Sequence, residues 1–146
     1  MSLSADVIAW EQRWTGIVER VQASPDAARE RVRLAERNVH RARAALAAGD
    51  PDQALVNAET AFVNIADAVL QRDGFRVRGA ERSHMARLDY PRLPEALREN
   101  VRTVSRSRQL RNVAQYEGEG RVSNDFAREV VELADRALRE VRALLA

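Results

Sequence analysis

Apolar residues along this chain recur at alternating spacings of three and four, the period of a helix with one buried face. A first helix runs from Ser4 to about Ala23, with Val7, Trp10, Trp14, Ile17, Val18 and Val21 on one side. Ser24-Pro25 then supplies an N-cap followed by proline at the first helical position. The helix it opens carries Val32, Ala35, Val39, Ala42 and Leu46 and stops at Gly49. Asp50-Pro51-Asp52-Gln53 repeats the start signal, with Gln53 placed to complete a capping box. The third helix buries Leu55, Ala58, Phe62, Ile65 and Val69 and ends at Asp73-Gly74.

A looser stretch from Phe75 to Pro91 holds a short helix around Ala80–Leu88. Pro94 opens a long helix to about Gln115, which Gly118-Glu119-Gly120 breaks. Ser123 caps the last helix, with Ala127, Val130, Ala134, Ala137, Val141 and Leu144 on its apolar face. No segment alternates with period two, so no strand is expected. Short turns at Gly49-Asp50 and Gly118–Val122 make neighbouring helices antiparallel. The pattern predicts an all-α fold: an antiparallel up-and-down four-helix bundle with an additional N-terminal helix and a short helix in the long middle connection. It forms a single domain over residues 1–146, with the N-terminal helix at 4–23 and the bundle at 27–146.

Composition narrows the function. The 146 residues suit one domain, and 45% hydrophobic with 32% charged is a globular profile. With no cysteine, disulfides, thiolate metal sites and cysteine nucleophiles are excluded. No apolar run approaches the roughly 20 residues of a membrane span, and the N-terminus lacks a basic-then-apolar leader, so a cytoplasmic location without membrane association is expected. His40 sits on a helix crowded with arginine and is read as structural, and His84 as a residue that caps or packs the short helix. Two isolated histidines without a carboxylate cluster make a poor metal site, so neither metal nor cofactor is expected. Trp10 and Trp14, one helical turn apart, are read as core.

The net charge is only +2, yet all 24 basic residues are arginine. Their placement carries more information than their number. Between Asn100 and Tyr116 stand Arg102, Arg106, Arg108 and Arg111 with no carboxylate among them. An exposed helix ordinarily mixes both signs. At about 100° per residue, the stripe through Leu97, Val101 and Val104 continues through Arg108, Arg111 and Gln115, while Leu110, Val113 and Ala114 move to the opposite side. A helix whose core-facing stripe turns into arginines, with Asn112 and Tyr116 beside them, is a candidate phosphate site, because the planar guanidinium matches phosphate oxygens.

Three stretches in this order resemble the HEPN superfamily over roughly Ala27–Ala146. One is "RVRLAERNVHRARAALAAGDPDQALVNAETAFVNIADAVL", two helices about a Gly-Asp-Pro turn. Another is "RDGFRVRGAERSH", a glycine followed some ten residues on by a histidine that opens a short helix. The last is "RNVAQY", similar to the family's Arg-x4–6-His with a polar residue after the arginine. The resemblance implies a helical bundle acting as a homodimer that joins two motifs. Many members are metal-independent endoribonucleases, often toxins paired with a nucleotidyltransferase-like antitoxin; others bind RNA or nucleotides, or act as scaffolds.

Carried onto this chain, the motif arginine is Arg111, the polar neighbour Asn112, and the histidine position holds Tyr116. Metal-free RNA cleavage needs a group of near-neutral pKa to move protons and a cation to stabilise developing charge. Tyrosine, with a reference pKa of about 10, is a poor base at neutral pH. The expected role is therefore binding of RNA or another phosphate-bearing or protein partner through Arg108, Arg111, Asn112 and Tyr116, without cleavage. The alternatives are a metal-independent endoribonuclease using Arg111 and Tyr116, and a protein-interaction bundle with no nucleic-acid role.

Overall fold

The computed structural model describes residues 3–79, 82–116 and 122–146, with side chains in the middle segment described as far as Val113. Seven helices carry most of these residues: α1 (Ala5–Arg13), α2 (Pro25–Ala47), α3 (Pro51–Asp73), α4 (Ser83–Leu88), α5 (Glu95–Arg98), α6 (Val101–Tyr116) and α7 (Asn124–Leu145). Two three-residue strands, β1 (Val18–Arg20) and β2 (Phe75–Val77), pair antiparallel with Val18 opposite Val77. α2 lies along α3, α7 packs against both, and α6 rests on α3. α3 is therefore the central element. Its buried residues occupy almost its whole circumference, among them Ala54, Leu55, Ala58, Ala61, Phe62, Ile65, Val69 and Leu70.

The helix boundaries follow local chemistry. Ser24 Oγ accepts a hydrogen bond from Ala27 N, Asp50 from Gln53 N and Ser123 from Phe126 N, each capping the helix it precedes. α3 stops at Gly74, which has φ 90°. A side chain there would be strained by that conformation and would bring its Cβ within 3.1 Å of the Val21 carbonyl oxygen.

Four expectations need correction. The N-terminal helix ends at Arg13 rather than near Ala23. The chain turns at Gly16, φ 89°, and the β-branched residues that follow lead into β1. Period-based reading misses a strand this short because its pairing partner is 57 positions away at β2. The helix expected from Pro94 to Gln115 is two helices. At the break, the Asn100 side chain donates to the Ala96 carbonyl at 2.8 Å, while the Asn100 carbonyl accepts Val104 N as α6 begins. The short helix expected from residue 80 is observed from Ser83; residues 80 and 81 lie outside the described set.

α1 is part of the same core. Trp10 is fully buried, its ring edge-on to Phe75 (5.2 Å between centroids) and Tyr90 (4.6 Å). Its indole Nε1 donates to the Ala86 carbonyl at 2.8 Å, and Trp14 Nε1 donates to Asp89 at 2.8 Å. These two bonds hold α4 and the turn after it against α1. Among the described residues, no helix is long and apolar enough to cross a membrane.

Candidate arginine–carboxylate site

The sequence reading overlooked Glu59. It lies in the middle of α3 and is fully buried. A buried carboxylate is retained only when it is paired, because desolvating a lone charge costs several kcal/mol. Both partners come from α6. Arg111 Nη1 lies 3.0 Å from Oε2, and Arg108 Nη1 donates to Oε1 at 3.3 Å. Oε2 is close to Arg111 but lacks the alignment of a hydrogen bond, so that contact is an ion pair without a directed bond. The signal was present in the sequence. Leu55, Glu59, Phe62 and Ala66 follow four-three-four spacing, so a carboxylate interrupts an apolar stripe.

Glu59 also explains the arginine strip. The core-facing side of α6 does not change halfway, as periodicity suggested. Val104 and Ser107 are buried, Leu110 packs partly against the core, and Arg108 and Arg111 stay on the inward side because a carboxylate receives them. Val101, expected on the buried stripe, is instead 38% exposed. Arg106 lies over the Phe126 ring at 4.6 Å, a cation–π contact. The compensating charge missing from α6 is supplied by another helix.

One carboxylate between two guanidiniums leaves a surplus of one positive charge. The arginines are not sealed in: their side chains are 33% and 28% exposed against 1% for Glu59. Arg111 Nε is buried and has no hydrogen-bond partner. The arrangement is a cation pair anchored from below, with one edge open and one donor unused. Of the candidate residues, Arg108 and Arg111 are brought together and Asn112 is exposed. The Tyr116 side chain and Gly118-Glu119-Gly120 lie outside the described residues.

His84 lies on α4, within reach of the Arg108 and Arg87 charges. Its Nε2 is buried without a hydrogen-bond partner. Burial pushes its pKa down to about 4, with the Arg108 and Arg87 charges adding to the effect. Arg87 is itself fixed, its Nε donating to Asp67 of α3 at 2.8 Å. His40, by contrast, is exposed on α2. Among the described residues, no group of histidines and carboxylates is placed to hold a metal ion.

The His84 environment sets a pH dependence. Its folded pKa lies below the unfolded value of about 6.5, so its contribution to stability is present above that value and is lost as pH falls through about 4. Urea midpoints measured from neutral pH to about 4 should therefore fall more steeply for the wild type than for His84→Gln. Parallel profiles would show that His84 is not held neutral by this environment.

A mostly helical domain with a buried carboxylate that anchors two arginines from a neighbouring helix defines a class of protein with a positively charged cluster on a helical frame. The HEPN domain model matches residues 28–144. The chain belongs to the HEPN family. No curated protein and no solved structure matches it.

Proposed function

We propose that this chain is an RNA-binding HEPN domain that grips phosphates through Arg108 and Arg111 and does not cut the RNA. The observation that carries the reading is the two arginines sharing one buried carboxylate, which leaves a net positive charge and an unused guanidinium donor at Arg111 Nε. Holding both guanidiniums in place before a ligand arrives reduces the ordering entropy that binding would otherwise cost. Asn112, exposed on the following position, extends the polar surface, and Tyr116 takes the motif's histidine position. In this reading α2, α3, α6 and α7 form an antiparallel up-and-down bundle, residues 1–146 act as one domain, and a homodimer brings two Arg111 regions together across a two-fold axis.

The test is binding of a short single-stranded RNA followed by fluorescence anisotropy across a salt series, together with cleavage assays in EDTA. Each phosphate contact on a single strand contributes a slope of about −0.7 in log K against log salt, so Arg111→Ala should weaken binding and reduce the slope by about 0.7. The wild type should leave the RNA intact at neutral pH. Tyr116→His, which places an imidazole beside Arg111 in the motif, should produce metal-independent cleavage ending in a 2′,3′-cyclic phosphate, and adding Arg111→Ala should abolish it. EDTA-resistant cleavage by the wild type that is lost in Tyr116→Phe would establish the ribonuclease reading instead. Absence of binding by every variant would favour a protein-interaction bundle.

A further inference from the structure

A cavity of about 160 Å³ lies where α2, α3, β2 and α4 meet, with Arg31, Asp67, Arg76 and Arg87 among its walls. Three guanidiniums against one carboxylate leave it a surplus of two positive charges. Two of the arginines have carboxylate partners. Arg87 Nε donates to Asp67 at 2.8 Å, and Arg76 Nη2 donates to Glu19 of β1 at 2.7 Å. Glu19 is shared with Arg78, which brings its own charge, so it does not cancel the surplus. Arg31 is different: among the described residues no carboxylate pairs with it. Its neighbours three and four positions away on α2, Ala27, Ala28, Leu34 and Ala35, are uncharged. Its Nη1 donates instead to Asn64 Oδ1 at 3.2 Å, and the buried Asn64 is held in turn by donating to Asn38 Oδ1 at 2.9 Å. Neutral amides thus fix this half-buried guanidinium at the cavity without neutralising it. A cation partly removed from water in this way is best balanced by a counter-charge from outside the chain.

We propose that this cavity is a second anion site, which binds the dianionic phosphate group of a phosphate monoester through Arg31, Arg76 and Arg87. Size and charge select the ligand. Pockets that enclose a whole small molecule measure about 300–1,000 Å³, so this one takes a phosphate and leaves whatever carries it outside. A monoester bears close to two negative charges at neutral pH and matches the surplus. The phosphodiester of an internal RNA linkage bears one and does not. Guanidinium donors from three different elements can reach separate oxygens of one tetrahedral group. Asp67 does not repel it decisively, because Arg87 already holds that carboxylate. Neither Arg108 nor Arg111 lines the cavity, so the site is independent of RNA binding by that pair. A free phosphate ion and the phosphate at the end of a nucleotide present the same group.

Titration of inorganic phosphate into the isotope-labelled full chain at constant ionic strength, followed by amide NMR, tests this directly. Saturable shifts should appear in β2 and around Arg31 and Arg87, a readout that needs no variant. Uridine 5′-monophosphate should shift the same amides and uridine should not. Equal affinity for phosphate and nucleotide would identify the free ion as sufficient, and tighter binding of the nucleotide would identify a nucleotide terminus; either result supports the site. Binding should strengthen as pH rises through about 6, where phosphate gains its second charge; no histidine lines the cavity to add a dependence of its own. Arg31→Gln should weaken binding by about tenfold or more, the effect of losing a charge-assisted contact. Arg41→Gln, altered at an exposed position on the same helix, should leave it unchanged. The amide spectrum of each variant without ligand shows whether it is folded. Absence of saturable shifts, shifts confined to α6, or binding that survives Arg31→Gln in full would overturn the proposal and leave the Arg108–Arg111 reading untouched.

Discussion

Replacing Arg108 and Arg111 together with alanine should destabilise the protein by about 3–5 kcal/mol, the usual consequence of stripping a buried charge of its partners. Glu59 would keep its place in α3, with 1% of its side chain exposed, and lose both cations. Either single substitution should do much less, because the other guanidinium remains. Adding Glu59→Gln to the double variant should recover most of the loss, since the desolvated charge disappears with it. Glu59→Gln alone should be comparatively mild, as the two released arginines are already partly in contact with water. Urea denaturation followed by circular dichroism at neutral pH measures all of these. A loss below about 1 kcal/mol in the double variant, the range of exposed ion pairs, or no recovery on adding Glu59→Gln, would contradict the arrangement. The same series separates structure from binding: the triple variant should be folded and unable to hold RNA.

Trp10→Ala should cost about 3–5 kcal/mol, as expected for deleting a fully buried large aromatic side chain. The loss has three sources. The indole volume disappears from between Phe75 and Tyr90, two edge-on ring contacts go with it, and the Ala86 carbonyl is left without its donor. Trp10→Phe keeps most of the packing but still orphans that carbonyl, which points to a loss of about 1–3 kcal/mol. Hydrogen exchange should show α4 loosening in both variants, because the Ala86 bond ties it to α1. Residues 28–144 carry the family match and exclude Trp10, so a large loss here would show that α1 is integral to the fold of this member. Wild-type-like stability of Trp10→Ala would mean that α1 is not docked as described.

Much of this protein was legible in its sequence. The caps at Ser24, Asp50 and Ser123 and the stop at Gly74 are local signals, each decided by a few neighbouring residues, and each is found where the sequence places it. The apolar stripes of α2, α3 and α7 follow from the period of a helix, so most of their buried residues were readable too, although Leu144 is exposed and Leu46 only partly buried. Arg108 and Arg111 stood out because their helix lacks acids. What only the tertiary structure decided is the set of meetings between distant segments. β1 exists because β2 passes beside it, and neither strand has enough residues to declare itself by alternation. Glu59 and Arg111 are 52 positions apart and are joined because α6 rests on α3, so an arginine strip that reads as uncompensated on its own helix is partly neutralised by another. His84, legible only as a residue that packs or caps a short helix, acquires its suppressed pKa from burial and from Arg108 and Arg87. Local propensity acts through hydrogen bonds a few residues apart, and the sequence by itself determined whatever depends on them; electrostatics and desolvation depend on distance in space, and only the packed fold sets that.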